Sequence, residues 1–184
     1  MNSTQSSLLW FVARGSGMVA YLLLTATVVV GIAVNRRWSN ADWPRLVVEG
    51  AHRWFTLIFS LFLIVHIATL VLDPFSHISF GDAVIPFAGT YRTFWVGLGV
   101  VAAELVVAIV LSVAVRRWIG YRLWHALHLL TYLLFPLSLL HGIGTGTDTG
   151  TSWTTVMYAG SFLAVAAALI WRVREPGVLG LDAQ

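Results

Sequence analysis

Four histidines close the ends of two apolar stretches: His52 and His66 bound HRWFTLIFSLFLIVH, and His128 and His141 bound HLLTYLLFPLSLLH. An ionisable side chain at membrane depth is costly and marks a functional site by default. A lone imidazole there can be a neutral ring hydrogen-bonded to a neighbouring helix, but four in two matched pairs ask for a chemistry that uses pairs. His52 and His66 are fourteen residues apart, ~21 Å along an ideal helix and within ~40° of one face. His128 and His141 are thirteen apart, ~19.5 Å in rise, so two parallel helices would bring His52 level with His128 and His66 level with His141. The second pair is ~140° apart in azimuth on an ideal helix. Pro136 lies between them and Gly142 follows His141, so departure from ideal geometry is expected there. Two opposed imidazoles at each of two depths suit bis-histidine ligation of two haem irons, with the flat macrocycles filling apolar space between helices.

Other chemistry-bearing residues sit around these four. His125, one turn before His128 in LWHALHLL, is the competing ligand. Taken with His141 it would span ~24 Å and match the first pair less well, so it reads as a cytoplasmic-edge residue. His77 lies in a loop and reads as solvated. Arg14 falls about two turns into the first apolar run; its guanidinium either snorkels to the headgroups or pairs with a propionate of the outer haem through bidentate, charge-assisted hydrogen bonds. Arg53, beside His52, reads as a membrane-edge anchor, with a propionate of the inner haem as the alternative. Glu104, near the middle of the third apolar run, is either a neutral, hydrogen-bonded acid or a proton-path or quinone contact.

The elements that must position these residues are membrane helices. The chain has 184 residues, of which 58% are hydrophobic and 10% charged; with a mean hydropathy of +0.82 it falls outside the balance of soluble domains. Five apolar runs, about 8–34, 51–72, 94–115, 123–141 and 153–171, each approach the ~20 residues needed to cross a bilayer. The expected fold is therefore an all-α integral membrane bundle of five transmembrane helices forming one domain over residues 1–184. The N-terminal MNSTQSS has no basic region, so the first run reads as a retained helix rather than a signal peptide. All eleven basic residues are arginine. Arg36, Arg37 and Arg45, then Arg116, Arg117 and Arg122, then Arg172 and Arg174 follow alternate runs, which places the N-terminus outside and the C-terminus in the cytoplasm. Arginines dispersed at membrane edges form no stripe for nucleic acid. Tryptophans near the run ends, such as Trp10, Trp38, Trp118 and Trp171, read as an interfacial belt. The chain has no cysteine, which excludes covalent c-type haem, iron–sulfur clusters and disulfides. The outer loop from Asp73 to Arg92 is long enough to cap the bundle, and GIGTGTDTG at 142–150 fits no phosphate-loop pattern and reads as a turn.

With the two histidine spacings, the His141–Gly142 dipeptide and the arginine in WFVARGSGMVAYLLLTATVVVGI, the chain resembles the ferric reductase-like transmembrane domain over roughly residues 10–171. That group includes the haem-bearing core of ferric reductases and NADPH oxidases and the haem-binding subunit of the bacterial methionine sulfoxide reductase system. The resemblance implies two b-type haems, with His52 and His128 ligating the inner iron, His66 and His141 the outer, and Arg14 serving an outer propionate. The family pattern commonly has six helices, so its first would be missing here, as would the FAD and NAD(P)H domains of the oxidases. The function this implies is that of a b-type cytochrome, the membrane electron-transfer component of an oxidoreductase in a bacterial cytoplasmic membrane. Electrons would pass from a separate cytoplasmic flavoprotein or quinol donor to an acceptor at the outer face. The competing readings are a quinol- or ascorbate-linked cytochrome of the b561 kind, a haem-free proton or metal-ion transporter using His66, His141 and Glu104, and a structural anchor subunit.

Overall fold

A computed structural model describes the backbone of residues 3–174 and the side chains of residues 8–174. Among the described residues all regular structure is helical: α1 Ser3–Asn35, α2 Arg45–Leu72, α3 Phe80–Val84, α4 Thr93–Leu129, α5 Thr131–Thr145 and α6 Ser152–Arg174. Four stretches are long and apolar enough to cross a membrane, Leu8–Asn35, Arg45–Leu72, Thr93–Thr145 and Ser152–Arg174. The protein is thus an integral membrane protein by the length and composition of its helices.

The third stretch covers the expected helices at 94–115 and 123–141 without a separate loop, two helical limbs meeting at a kink within Thr93–Leu129. Only Gly120 departs, with φ 77 and ψ 164, a conformation essentially restricted to glycine. One residue does the work of a loop there. His141 Nδ1 lies 2.9 Å from the carbonyl of Trp95, so the chain after Gly120 returns antiparallel to the limb before it. A second interruption at Leu130 separates α4 from α5, and Pro136 lies inside α5. The missing Pro136 N–H leaves the helix free to bend. These two features lie between His128 and His141, where the ideal helix had the wrong azimuth.

The core between the helices is built from Ala20, Tyr21, Leu24, Val28, Phe59, Ala102, Val106, Leu134, Phe135 and Val165. Large apolar side chains also cover the outside of the bundle: Leu57, Leu61 and Ile64 on α2, Val107 and Leu111 on α4, and Phe162 and Leu163 on α6 are exposed. An apolar exterior is what lipid requires of a spanning helix. Buried hydroxyls return to their own helices: Thr25 donates to Tyr21 O at 3.0 Å, Thr27 to Leu23 O at 2.7 Å and Ser112 to Ile109 O at 2.7 Å. No polar group is stranded at those positions.

The segment after α2 contains α3, a short helix that the sequence reading had left as loop. Ser79 and Asp82 cap it reciprocally: Ser79 N–H donates to Asp82 Oδ2 at 2.9 Å, and Asp82 N–H to Ser79 Oγ at 3.2 Å. After α3 the segment is held down by two contacts. Phe87 packs on Gly97 of α4, and Arg92 Nη1 donates to Gly144 O at the end of α5 at 2.6 Å.

Candidate functional site

Helices α1 and α2 pack antiparallel, and their register is fixed by two histidines. His66 Nδ1 is 2.7 Å from Ala13 O, and His52 Nδ1 is 3.1 Å from Thr27 O. On the other side of the bundle His141 Nδ1 meets Trp95 O. A carbonyl can only accept, so in each of these three rings Nδ1 carries a hydrogen, and in the neutral imidazole Nε2 keeps its lone pair. This is the tautomer that metal-binding histidines adopt when their second nitrogen is held by the backbone.

The rings face one another in two pairs. His52 and His128 have centroids 6.3 Å apart with an interplanar angle of 70°, and His66 and His141 have centroids 6.4 Å apart at 80°. Two imidazole nitrogens about 2.0 Å from a shared metal, each about 1.2 Å from its ring centre, separate the centroids by about 6.4 Å when metal, nitrogens and ring centres are in line. Each pair is therefore spaced to hold one metal ion between its rings. Among the described residues no group of three or more His, Asp or Glu side chains comes together as a metal site. The side chains brought together at each level are two imidazoles.

The outer pair opens into a cavity of ≈ 350 Å³, lined by His66 and His141 together with Arg14, Gly17, Tyr21, Leu24, Phe59, Gly99, Val106, Leu134, Tyr91 and Tyr158. The size is at the lower end of that usual for cofactor pockets. Its walls are mostly apolar, and it extends toward the outer segment through Phe75, Ser76 and His77. The inner pair does not line this cavity. His128 stacks on Trp124, with centroids 5.4 Å apart and an interplanar angle of 30°. Both His128 Nδ1 and Trp124 Nε1 are buried without a hydrogen-bond partner among the described residues.

The remaining sequence candidates separate clearly. His125 stacks on Tyr121, with centroids 5.5 Å apart and an interplanar angle of 15°, while the ring opposite His52 is that of His128. Arg14 forms an ion pair with Asp148 and lies 4.9 Å from the Trp10 ring centre. Sequence reasoning missed Asp148, since the 142–150 segment had been read only as a turn. Arg53 is exposed and reaches back to Glu49 O at 3.4 Å. Glu104 is exposed on α4 and does not line the cavity, so the structure does not bring it to His66 and His141. His77, exposed at the cavity mouth, has a left-handed backbone with φ 56.

Sequence reasoning also missed three glycines. A Cβ at Gly17 would come within 2.8 Å of the His66 ring, one at Gly31 within 3.0 Å of His52, and one at Gly99 within 2.4 Å of His141. The signal was present in part, because Gly17 and Gly31 repeat the fourteen-residue spacing of His52 and His66.

Comparison with curated proteins and with solved structures returned no match. A family model, described as ferric reductase like transmembrane component, matches residues 16–139. The matched stretch contains His52, His66 and His128, and Arg14 and His141 lie two residues beyond its ends. It spans well over half of the chain and includes both limbs of the Gly120 turn, and on that extent the chain belongs to the ferric reductase-like transmembrane components.

Proposed function

We propose that the protein is a transmembrane b-type cytochrome with two bis-histidine haems. His52 and His128 would hold the inner one, and His66 and His141 the outer. Family membership already implies electron transfer in the membrane; the finer reading is carried by one observation, the two facing imidazole pairs at 6.3 and 6.4 Å. Haem, when bound, supplies one-electron chemistry at its iron.

The protein's own residues supply the rest. His52, His66 and His141 keep Nε2 unprotonated by donating Nδ1–H to backbone. Fourteen residues of α2 hold the two levels ~21 Å apart along the helix. Tyr21, Leu24, Phe59, Val106 and Leu134 belong to the buried core and give the outer cavity a largely apolar wall. Arg14, at the outer level, is available to a propionate as well as to Asp148. The two buried donors at the inner level, His128 Nδ1 and Trp124 Nε1, are consistent with an acceptor-bearing group there.

On this reading residues 1–184 act as one domain with five crossings, the Gly120 turn dividing the third apolar stretch into two. The N-terminus faces outward and the C-terminus the cytoplasm. Electrons come from a separate cytoplasmic flavoprotein or a quinol, and leave to an acceptor at the outer face. The test is haem stoichiometry: pyridine haemochrome assay of the purified protein gives a haem-to-chain ratio near two. His66→Ala or His141→Ala lowers it to one by removing the outer haem, His52→Ala or His128→Ala by removing the inner, and His125→Ala leaves it at two. A colourless protein rejects the cytochrome reading, and loss of haem in His125→Ala but not in His128→Ala rejects the ligand assignment.

A further inference from the structure

Three of the four imidazoles rest in the same local structure. His66 donates to the carbonyl of Ala13, and Gly17 is four residues further on; His52 repeats this with Thr27 and Gly31, and His141 with Trp95 and Gly99. Within a helix the carbonyl of one residue already accepts the N–H four residues later, so a second donor has to arrive from the side, across that later residue. Any Cβ there lies in the way. The added Cβ would fall 2.8, 3.0 and 2.4 Å from the His66, His52 and His141 rings respectively, closer than a side chain can stand without displacing the imidazole. Each glycine also costs its helix about 0.5–1 kcal/mol relative to alanine, and what it opens is a hydrogen bond that raises the basicity of the opposite ring nitrogen.

His128 is the exception. Its Nδ1 is buried without an acceptor among the described residues, its ring lies on Trp124, and none of the described glycines is opened toward it in this way. The outer pair is therefore anchored to backbone at both rings, and the inner pair only at His52.

We propose that Gly17, Gly31 and Gly99 are positioning residues that set the ligand strength of His66, His52 and His141 by exposing the carbonyl four residues upstream, and that the inner pair, with His128 unanchored, is the electronically unequal one. The inference rests on the two-haem reading. An imidazole that loses its Nδ1–H···O=C bond is a poorer donor to oxidised iron, so the midpoint potential of the affected haem rises. The outer haem has two such bonds to lose and the inner haem one.

The experiment is a potentiometric titration of the full haem-loaded chain, followed optically and by low-temperature electron paramagnetic resonance, with the inner haem identified as the one retained in His66→Ala. Gly17→Ala and Gly99→Ala should each raise the outer potential and shift the low-spin signal of that haem alone, and together raise it further. Gly31→Ala, the mildest of the three by its 3.0 Å approach, should raise the inner potential alone. Gly15→Ala and Gly160→Ala, where an added Cβ meets nothing within 4 Å, should move neither. Gly97→Ala, whose Cβ would strike Phe87, should lower thermal stability and leave both potentials in place. Should Gly99→Ala fail to accumulate, Gly31→Ala decides. Two haems retained with unmoved potentials in the glycine variants would overturn the inference alone, as would a shift in Gly97→Ala equal to that in Gly99→Ala. A wild-type chain that purifies without haem would overturn the two-haem reading and the inference with it.

Discussion

Arg14 has two claimants at the outer mouth of the bundle. Its guanidinium is paired with Asp148 and stands over Trp10, and both charged side chains are 24% exposed. Breaking a poorly solvated ion pair by removing one partner costs about 3–5 kcal/mol at full burial, and less here because solvent reaches both ends. If the same guanidinium also serves an outer propionate, its charge favours the reduced iron. Arg14→Ala is then expected to lower the outer-haem potential, while Asp148→Asn, which leaves the arginine in place, lowers stability only. Arg14→Lys recovers part of the potential, because an ammonium keeps the charge but not the planar fork. Redox titration of the three variants checks this, and equal potentials in wild type and Arg14→Ala would assign Arg14 to Asp148 alone. The arginine could be singled out from sequence because a charge inside an apolar run is conspicuous. Asp148 could not, since its role depends on how the 142–150 turn folds back over α1.

The Gly120 turn and the α3 cap show how little sequence some elements need. Gly120 has φ 77 and ψ 164, and side chains other than hydrogen are strained there by about 1–3 kcal/mol. Gly120→Ala should lower the thermal unfolding temperature accordingly, with haem content per folded chain preserved; Gly15→Ala, in a helix with open space around it, should not. In α3, the Ser79 N–H and then the Ser79 hydroxyl stabilise the Asp82 carboxylate and hold its pKa below the usual value. A carboxyl with a depressed pKa contributes its stabilisation above the unfolded value and loses it as pH falls through the folded one. The cap's contribution therefore weakens as pH falls below the unfolded carboxylate value and is lost through the lowered folded one. Carboxyl titration by nuclear magnetic resonance should show Asp82 moving up toward the usual value in Ser79→Ala. The Ser79-x-x-Asp82 pattern was a legible cap signal, but five residues of helix are too short for apolar periodicity to announce. The break expected between the runs at 94–115 and 123–141 does fall there, at Gly120, but as a single residue rather than a loop, with helical backbone on both sides of it.

At the scale of the molecule the arginines sort to one end. Nine of the eleven belong to the end that carries His52 and His128, where Arg36 stands over Trp171 at 5.8 Å and Arg172 meets Tyr132; only Arg14 and Arg92 belong to the other. This distribution predicts that a C-terminal fusion is active with a cytoplasmic reporter and silent with a periplasmic one, and that an N-terminal fusion gives the reverse. The opposite result would invert the direction of the electron path. The membrane character, the all-helical architecture and the pairing of the four histidines were legible because hydropathy and a 1.5 Å rise determine them. The partners of the histidines were not legible, because which carbonyl faces which ring depends on the rotation of α1 and α4 about their axes, and amphipathicity does not report that when both sides of a helix are apolar.

The glycine and histidine contacts between α1 and α2 recur after fourteen residues on both helices, from Gly17 and His66 to Gly31 and His52. Fourteen residues are two heptads, and a straight α-helix drifts by about 20° per heptad against such a repeat. A fourteen-residue repeat of contacts favours a left-handed coiling of the two helices about each other, as the strands of a rope do. One added residue in α1 between Gly17 and Gly31 would turn one contact away by about 100° while leaving the other seated. The two histidine levels thus share one phase along α1 and α2, and a single-residue insertion would uncouple them.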